Sequence, residues 1–231
     1  MNKILKSVHT KLMTAKTSDE WGLSNRDNED LKYFTSHKYR LAYLFRICRK
    51  HFKPGKSFLD IGSSYGLASL GARLIGYESV HYDGNKSGEE FIIPFPAGKF
   101  DLIFVSETME QTNLDPARFL TEVARVLKSG GLLIVTTPNL LRLNNASKLM
   151  LGHSLFRKEG SKFRDTKPYR EFSAGEVAYL VKSSGLAVKK VQYRNFDYHD
   201  LSFSLRLLNK IGGVVFPHRK GNLVITARKK N

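Results

Sequence analysis

An acidic residue closing a short apolar run, followed at once by a turn of small residues, is the arrangement in this chain best suited to hold a ligand. Phe58-Leu59-Asp60-Ile61-Gly62-Ser63-Ser64-Tyr65-Gly66 reads as a strand that reaches a carboxylate, turns through Gly62, Ser63, Ser64 and Gly66, and enters an apolar-periodic helix over Leu67–Ile75. Such a strand-turn-helix brings a ligand against backbone amides and a helix N-terminus. The carboxylate makes a dinucleotide phosphate an awkward occupant and suits a cationic or polyhydroxylated molecule better. A Walker-type loop is excluded because no Gly-Lys-Ser/Thr follows the turn. The same residues satisfy the Gly-x-Ser-x-Gly nucleophile elbow of hydrolases. Asp197 and His199, however, lie too close together to fill separate acid and base loops, and no His-Gly-Gly segment precedes Ser64. We read the elbow as a chance match. The seven histidines are scattered, none at metal-ligand spacing, so no metal is expected.

The elements that must position this turn follow a βα alternation. Apolar residues at helical spacing over Leu31–Phe52 place one or two helices before the first strand, and Lys53-Pro54-Gly55-Lys56 is a turn. Strand Ser57–Ile61, helix Leu67–Ile75, strands Ser79–Tyr82 and Phe100–Ser106, helix Pro116–Leu127 and strand Leu132–Thr136 come next. Asp115-Pro116 starts the later helix with a capping acceptor and a proline at its first position, and Gly130-Gly131 stops it. Leu102-Ile103-Phe104-Val105 and Leu132-Leu133-Ile134-Val135 are continuous apolar runs, as in a parallel sheet covered on both faces. Ser173-Ala174-Gly175-Glu176 is a capping box opening a helix to Ser184, and strands Val188–Tyr193 and Leu223–Ala227 finish the chain. Between the strand ending at Pro138-Asn139 and that helix lies a basic, irregular insert over 140–170.

At 231 residues the chain suits one α/β domain. We divide it into a helical basic extension over 1–56 and the main domain over 57–231. Its single cysteine, Cys48, allows no internal disulfide and points to a reducing compartment. No signal peptide and no membrane span of about 18 apolar residues is read, so a cytoplasmic location is expected. Charge is unevenly placed: Lys and Arg outnumber Asp and Glu by 13 to 5 over 1–56 and 19 to 6 over 139–231, whereas 57–138 carries 6 against 10. The basic flanks imply an anionic partner such as an acidic glycan, nucleic acid or an anionic membrane face, and the bland reading is a solvated basic surface. Leu201–Phe216 reads either as an interfacial membrane helix or as a packing helix.

The motifs together resemble the class I S-adenosylmethionine-dependent methyltransferases, in particular the broad type-11 and type-23 groups. Phe58–Gly66 is similar to their first motif. Gly88-Glu89-Glu90-Phe91-Ile92-Ile93-Pro94-Phe95 to Phe100-Asp101 aligns without a gap on a second block, Leu102–Asn139 follows the next strand, turn, helix and Leu-Lys-x-Gly-Gly bend, and Tyr169-Arg170-Glu171-Phe172-Ser173 resembles a late segment. The resemblance implies a Rossmann-like fold with a mostly parallel sheet, helices on both faces and an antiparallel last strand. It implies S-adenosylmethionine as cofactor, a sulfonium with an amino group and a ribose. Asp60 would sit under its methionine end or orient the turn formed by Gly62, Ser63, Ser64 and Gly66. Asp83 would accept both ribose hydroxyls, Glu89 the adenine amino group, and Ser106 and Glu107 would face cofactor and cleft. Ser64 stands for a glycine and Gln111 for the family's usual histidine. Gly88 follows Asp83 so soon that the second helix and third strand are expected to be truncated.

The cofactor brings the reactive chemistry, and a hydroxyl acceptor additionally benefits from a general base. Glu110, His153 and Glu171 are the candidates. The insert and the closing strand resemble methyltransferases of bacterial surface-polysaccharide clusters, which implies O-methylation of a sugar in a lipid-linked or phosphorylated glycan. Arg142, Lys148, Arg157, Arg164, Tyr169 and Arg170 would contact it, with peripheral contact at the inner membrane face. The alternatives are a nucleic-acid methyltransferase using the basic flanks, against which no RNA-binding module is recognised, and a non-catalytic binding protein on this fold.

Overall fold

The computed structural model describes residues 3, 5–7, 10, 29–62, 66–83, 91–110, 115–155, 170–196 and 214–230, with backbone alone at 29–33 and 36. Within them β1 (Ser57–Ile61), β2 (Glu78–Tyr82), β3 (Phe100–Ser106) and β4 (Leu127–Pro138) are parallel, and β6 (Asn222–Lys229) lies antiparallel between β4 and β5 (Leu186–Arg194). The sheet order is β2-β1-β3-β4-β6-β5. The reversed strand is the expected antiparallel last one. Among the described residues no strand lies outside β2, in keeping with the short stretch between Asp83 and Gly88.

Strand alternation divides the core. Phe58, Leu102, Phe104, Leu132 and Ile134 face α1 (Glu29–His51) and α2 (Leu67–Leu74). Leu59, Ile61, Ile103, Val105, Leu133 and Val135 face α3 (Pro116–Val126) and α5 (Ala174–Ser183). A doubly covered sheet requires the continuous apolar runs seen in β3 and β4. Both expected helix starts hold: the Asp115 side chain accepts from the amide of Ala117, and Ser173 and Glu176 exchange capping-box bonds.

Two details differ from the sequence reading and two extend it. The helical pattern before β1 is one continuous helix, and α1 joins the domain core through Phe34, Leu41, Leu44, Phe45 and Cys48. Its Tyr43 hydroxyl donates to Gln192 on β5. Next, α3 ends at Val126 and not Leu127, because Leu127 already pairs with Phe100 as the start of β4. Lys229 Nζ caps that helix end, donating to the carbonyls of Ala124 (2.7 Å) and Leu127 (2.9 Å), where a cation also meets the negative pole of the helix. The third is an element inside the insert, α4 (Leu143–Met150). Its base is fixed by the buried Asn139, whose amide donates to the carbonyls of His218 and Lys220 while its oxygen accepts from Leu141. Lastly, the segment Ile93–Phe95 is bound to α3 through Glu122 and Arg125 and forms no strand.

Gly71 marks the closest approach of α1 to α2: a Cβ there would lie 2.0 Å from the Phe45 ring, which is itself 2% exposed and has nowhere to swing. Alanine ordinarily favours a helix over glycine by about 1 kcal/mol, but overpacking a filled core costs about 1–3 kcal/mol. Gly71→Ala is therefore expected to lower the melting temperature; a raised one would show that α1 yields at this contact.

Candidate active site

The turn after β1 is built by two glycines in the left-handed region. Gly62 (φ 77°) donates its amide to the carbonyl of Tyr82, and a Cβ on it would fall 1.8 Å from Thr108 Oγ1. The Thr108 hydroxyl is shared between the carbonyls of Ser106 (2.9 Å) and Ile61 (3.2 Å), so it knits the turn after β3 to the end of β1. Gly66 (φ 63°) caps α2 with no side-chain bond, and a Cβ there would meet the His81 ring at 3.3 Å. A larger residue at Gly62 would collide with Thr108, and one at Gly66 would crowd His81.

Beneath that cradle lies a line of charge. Asp60 is fully buried, and its Oδ2 accepts from the amide of Ser69 in the first turn of α2 at 2.9 Å. Asp60 pairs in register with His81 on β2, which places both on the α2 face of the sheet. His81 Nδ1 stands 3.7 Å from Asp60 Oδ2, and its Nε2 3.2 Å from Asp83 Oδ1 at the strand's exit. Burial disfavours the imidazolium, yet the two carboxylates outweigh it and lift His81 to about 9. It is a cation at neutral pH.

The exit of β3 is the third wall. Ser106 is buried, and Glu107 holds φ 49°, a conformation rare outside glycine, while pairing with the buried Arg40 of α1 at 3.2 Å. Glu110 is 1% exposed. Its Oε2 accepts from Thr137 at 2.9 Å, and its Oε1 has no hydrogen-bond partner among the described residues. Burial, then the neighbouring charge of Glu107, raises its carboxyl well above the ordinary range.

The other two base candidates sit elsewhere. His153 is exposed, just past the end of α4. Glu171 has both oxygens engaged, one by Arg142 and the other by Asn145 at 2.6 Å, so it bolts α4 to the strand-like bridge at Phe172. Arg142 is thereby turned to structure, whereas Arg170 is exposed, over the Phe172 ring and 3.5 Å from Glu176. Ser63, Ser64, Glu89, Arg157, Arg164 and Tyr169 lie outside the described residues, as do most of 1–28, Asp197, His199 and 201–213. Sequence reasoning missed His81, Arg40 and Thr108. For two of them a signal was present: His81 lies two residues before Asp83, on the same strand face, and Arg40 interrupts the apolar stripe of α1.

A family model described as a methyltransferase domain matches residues 29–191. The chain belongs to that family. No curated protein matches it. Among solved structures it is similar to a SAM-dependent methyltransferase from Archaeoglobus fulgidus, at 16% identity over 88% of this chain and all of that one, with a TM-score of 0.57. A putative sarcosine dimethylglycine methyltransferase from Galdieria sulphuraria shares 16% identity over 90% and 89%, with a TM-score of 0.53. A SAM-dependent methyltransferase from Thermotoga maritima, a possible histamine N-methyltransferase, shares 21% over 88% and 96%, with a TM-score of 0.50. The protein is a methyltransferase of Rossmann-like fold whose cofactor is S-adenosylmethionine. Its residues fit that molecule: the carboxylates of Asp83 and Glu107 stand at the exits of β2 and β3, where ribose hydroxyls and a sulfonium would lie, with Asp60 buried beneath them.

Gly62→Ala would place a methyl group on the Thr108 hydroxyl and hold alanine in the left-handed region, which costs about 1–2 kcal/mol. The melting temperature should fall by a few degrees, and S-adenosylmethionine binding should weaken at least tenfold. Adding Thr108→Ala should restore part of both; a single mutant that binds normally would remove the turn from the site.

Proposed function

We propose that this methyltransferase methylates a hydroxyl of an anionic, lipid-linked glycan, with Asp83 holding the cofactor ribose and Glu110 serving as general base. The observation that carries the reading is Glu110: a buried carboxyl at the exit of β3 with one oxygen bonded and the other lacking a hydrogen-bond partner among the described residues. An acceptor hydroxyl needs such a base, because it must lose a proton as its oxygen gains the methyl group. When bound, S-adenosylmethionine supplies an electrophilic methyl group on a sulfonium. The chain's own task is to align the acceptor, exclude water and take the proton at Glu110 Oε1. Thr137 holds the carboxyl in place from β4.

The anionic acceptor is supported by charge. The 139–231 segment carries 19 Lys and Arg against 6 Asp and Glu, and within it Lys148, Arg170 and His153 are exposed. A lipid anchor on the acceptor is supported by the end of α4, where Leu149, Met150 and Leu151 are 59%, 88% and 74% exposed beside Lys148. Apolar residues bordered by cations suit an anionic membrane face. No described helix is long and apolar enough to cross a membrane.

Glu110 must be deprotonated to act, and its titration lies above the usual carboxylate range. Turnover on a glycan acceptor should thus rise with pH beyond that range. Glu110→Gln should lower kcat by roughly a hundredfold to ten-thousandfold while leaving cofactor affinity in place; a variant with wild-type kcat would dismiss Glu110 as the base.

Arg170→Ala, made on the exposed rim, should raise the acceptor KM with little change in kcat. Unaltered acceptor kinetics, together with RNA binding that falls steeply with salt, would instead turn the basic flanks toward nucleic acid.

A further inference from the structure

We infer that His81 is a positioning residue for the cofactor's ribose: clamped between Asp60 and Asp83, it aims the Asp83 carboxylate and leaves that group's second oxygen for the ribose hydroxyls. The inference rests on Asp83 as the ribose acceptor. Its geometry stands on three contacts: Nε2 lies 3.2 Å from Asp83 Oδ1, Nδ1 lies 3.7 Å from Asp60 Oδ2, an ion-pair distance without a hydrogen bond, and the ring packs under Gly66 where a Cβ would come within 3.3 Å. The ring is about a quarter exposed and Asp83 about half, so the carboxylate is open toward solvent at the strand edge while its histidine partner is largely enclosed.

The fold explains why a histidine can do this. Ser79, His81 and Asp83 alternate onto the α2 face, and the pairing of Asp60 with His81 sets the buried carboxylate beside the ring. Arg73 on α2 fixes the strand below by donating to the Ser79 carbonyl at 2.8 and 3.0 Å. The charged groups on the surrounding elements are Asp60 on β1, Asp83 and Glu78 at the two ends of β2, and Arg73 on α2. Alternation puts Glu78 on the other face of the strand. An imidazole has two N–H donors only when protonated. As a cation it can serve both carboxylates at once. A neutral ring keeps one donor and gives up its charge, so the hold on Asp83 loses its charge-assisted strength.

The sign follows from the raised titration of His81, at about 9. The clamp is fully present at neutral pH and is lost as pH rises through that value. Its loss should appear in ligands that carry the ribose, whether or not they carry an amino-acid end. The α-amino group of S-adenosylmethionine itself titrates in alkaline solution, so the sharper probe is 5′-methylthioadenosine, which has the ribose and adenine without that group.

The test is titration of the full chain with 5′-methylthioadenosine and with S-adenosylmethionine from pH 7 to 10, in the wild type, His81→Gln and Asp83→Ala, with melting temperatures followed in parallel. The wild type should lose roughly tenfold in affinity for both ligands, centred near 9, as one charged contact is given up. His81→Gln should bind more weakly at pH 7 and show no such step for 5′-methylthioadenosine. Asp83→Ala should weaken both ligands by about tenfold to a hundredfold at pH 7. A His81→Gln variant that keeps the wild-type affinity and step while Asp83→Ala binds weakly would overturn the clamp alone. Normal binding by Asp83→Ala would overturn the ribose assignment beneath it. Should His81→Gln fail to fold, the wild-type profile decides: a flat 5′-methylthioadenosine affinity to pH 10 contradicts the proposal.

Discussion

Asp60 carries the constraint on which the rest of the site depends. A carboxyl group with no exposed surface is tolerable only where donors and a counter-charge meet it. Here the Ser69 amide supplies a donor from α2 and His81 the counter-charge from β2. The first of these fixes where α2 begins relative to β1. The second fixes what β2 can present at its exit. One buried group thereby ties a strand, a helix and a neighbouring strand into a single rim.

The opposite side of the rim is set by the turn after β3. Thr108 bridges to Ile61, and Glu107 in its left-handed conformation reaches Arg40 on α1. Strain of this kind is maintained only where surrounding contacts over-determine it. The buried ion pair and the packing of Phe45 on Gly71 do so here, which is why α1 belongs to the catalytic domain even though it precedes the first strand. Two acidic residues three positions apart then have different fates. Glu107 is paired with a cation, whereas burial, and then the neighbouring charge of Glu107, holds the Glu110 carboxyl well above the ordinary range.

Much of the fold was legible because it rests on local patterns. The apolar runs of β3 and β4, the Asp115-Pro116 start and the Ser173–Glu176 box each occur where expected. The left-handed glycines Gly62 and Gly66 stand where the small-residue turn is expected, for the same reason. Long-range pairing was not legible. The spacing of His81 from Asp83 is legible, but only the register of β2 on β1 sets Asp60 on its other side. Glu171 looked like a base and is a bolt, because Arg142 and Asn145 come to it across more than 25 positions of sequence. The helical pattern runs one residue past the end of α3, since Phe100, on another strand, claims Leu127.

On this reading the strand exits of β1, β2 and β3 form a working S-adenosylmethionine site although no described strand lies beyond β2. Calorimetric titration of the purified chain with S-adenosylmethionine and S-adenosylhomocysteine tests it most directly. Binding of both at one site per chain is the expected result. An absence of heat with either ligand up to millimolar concentration would contradict it.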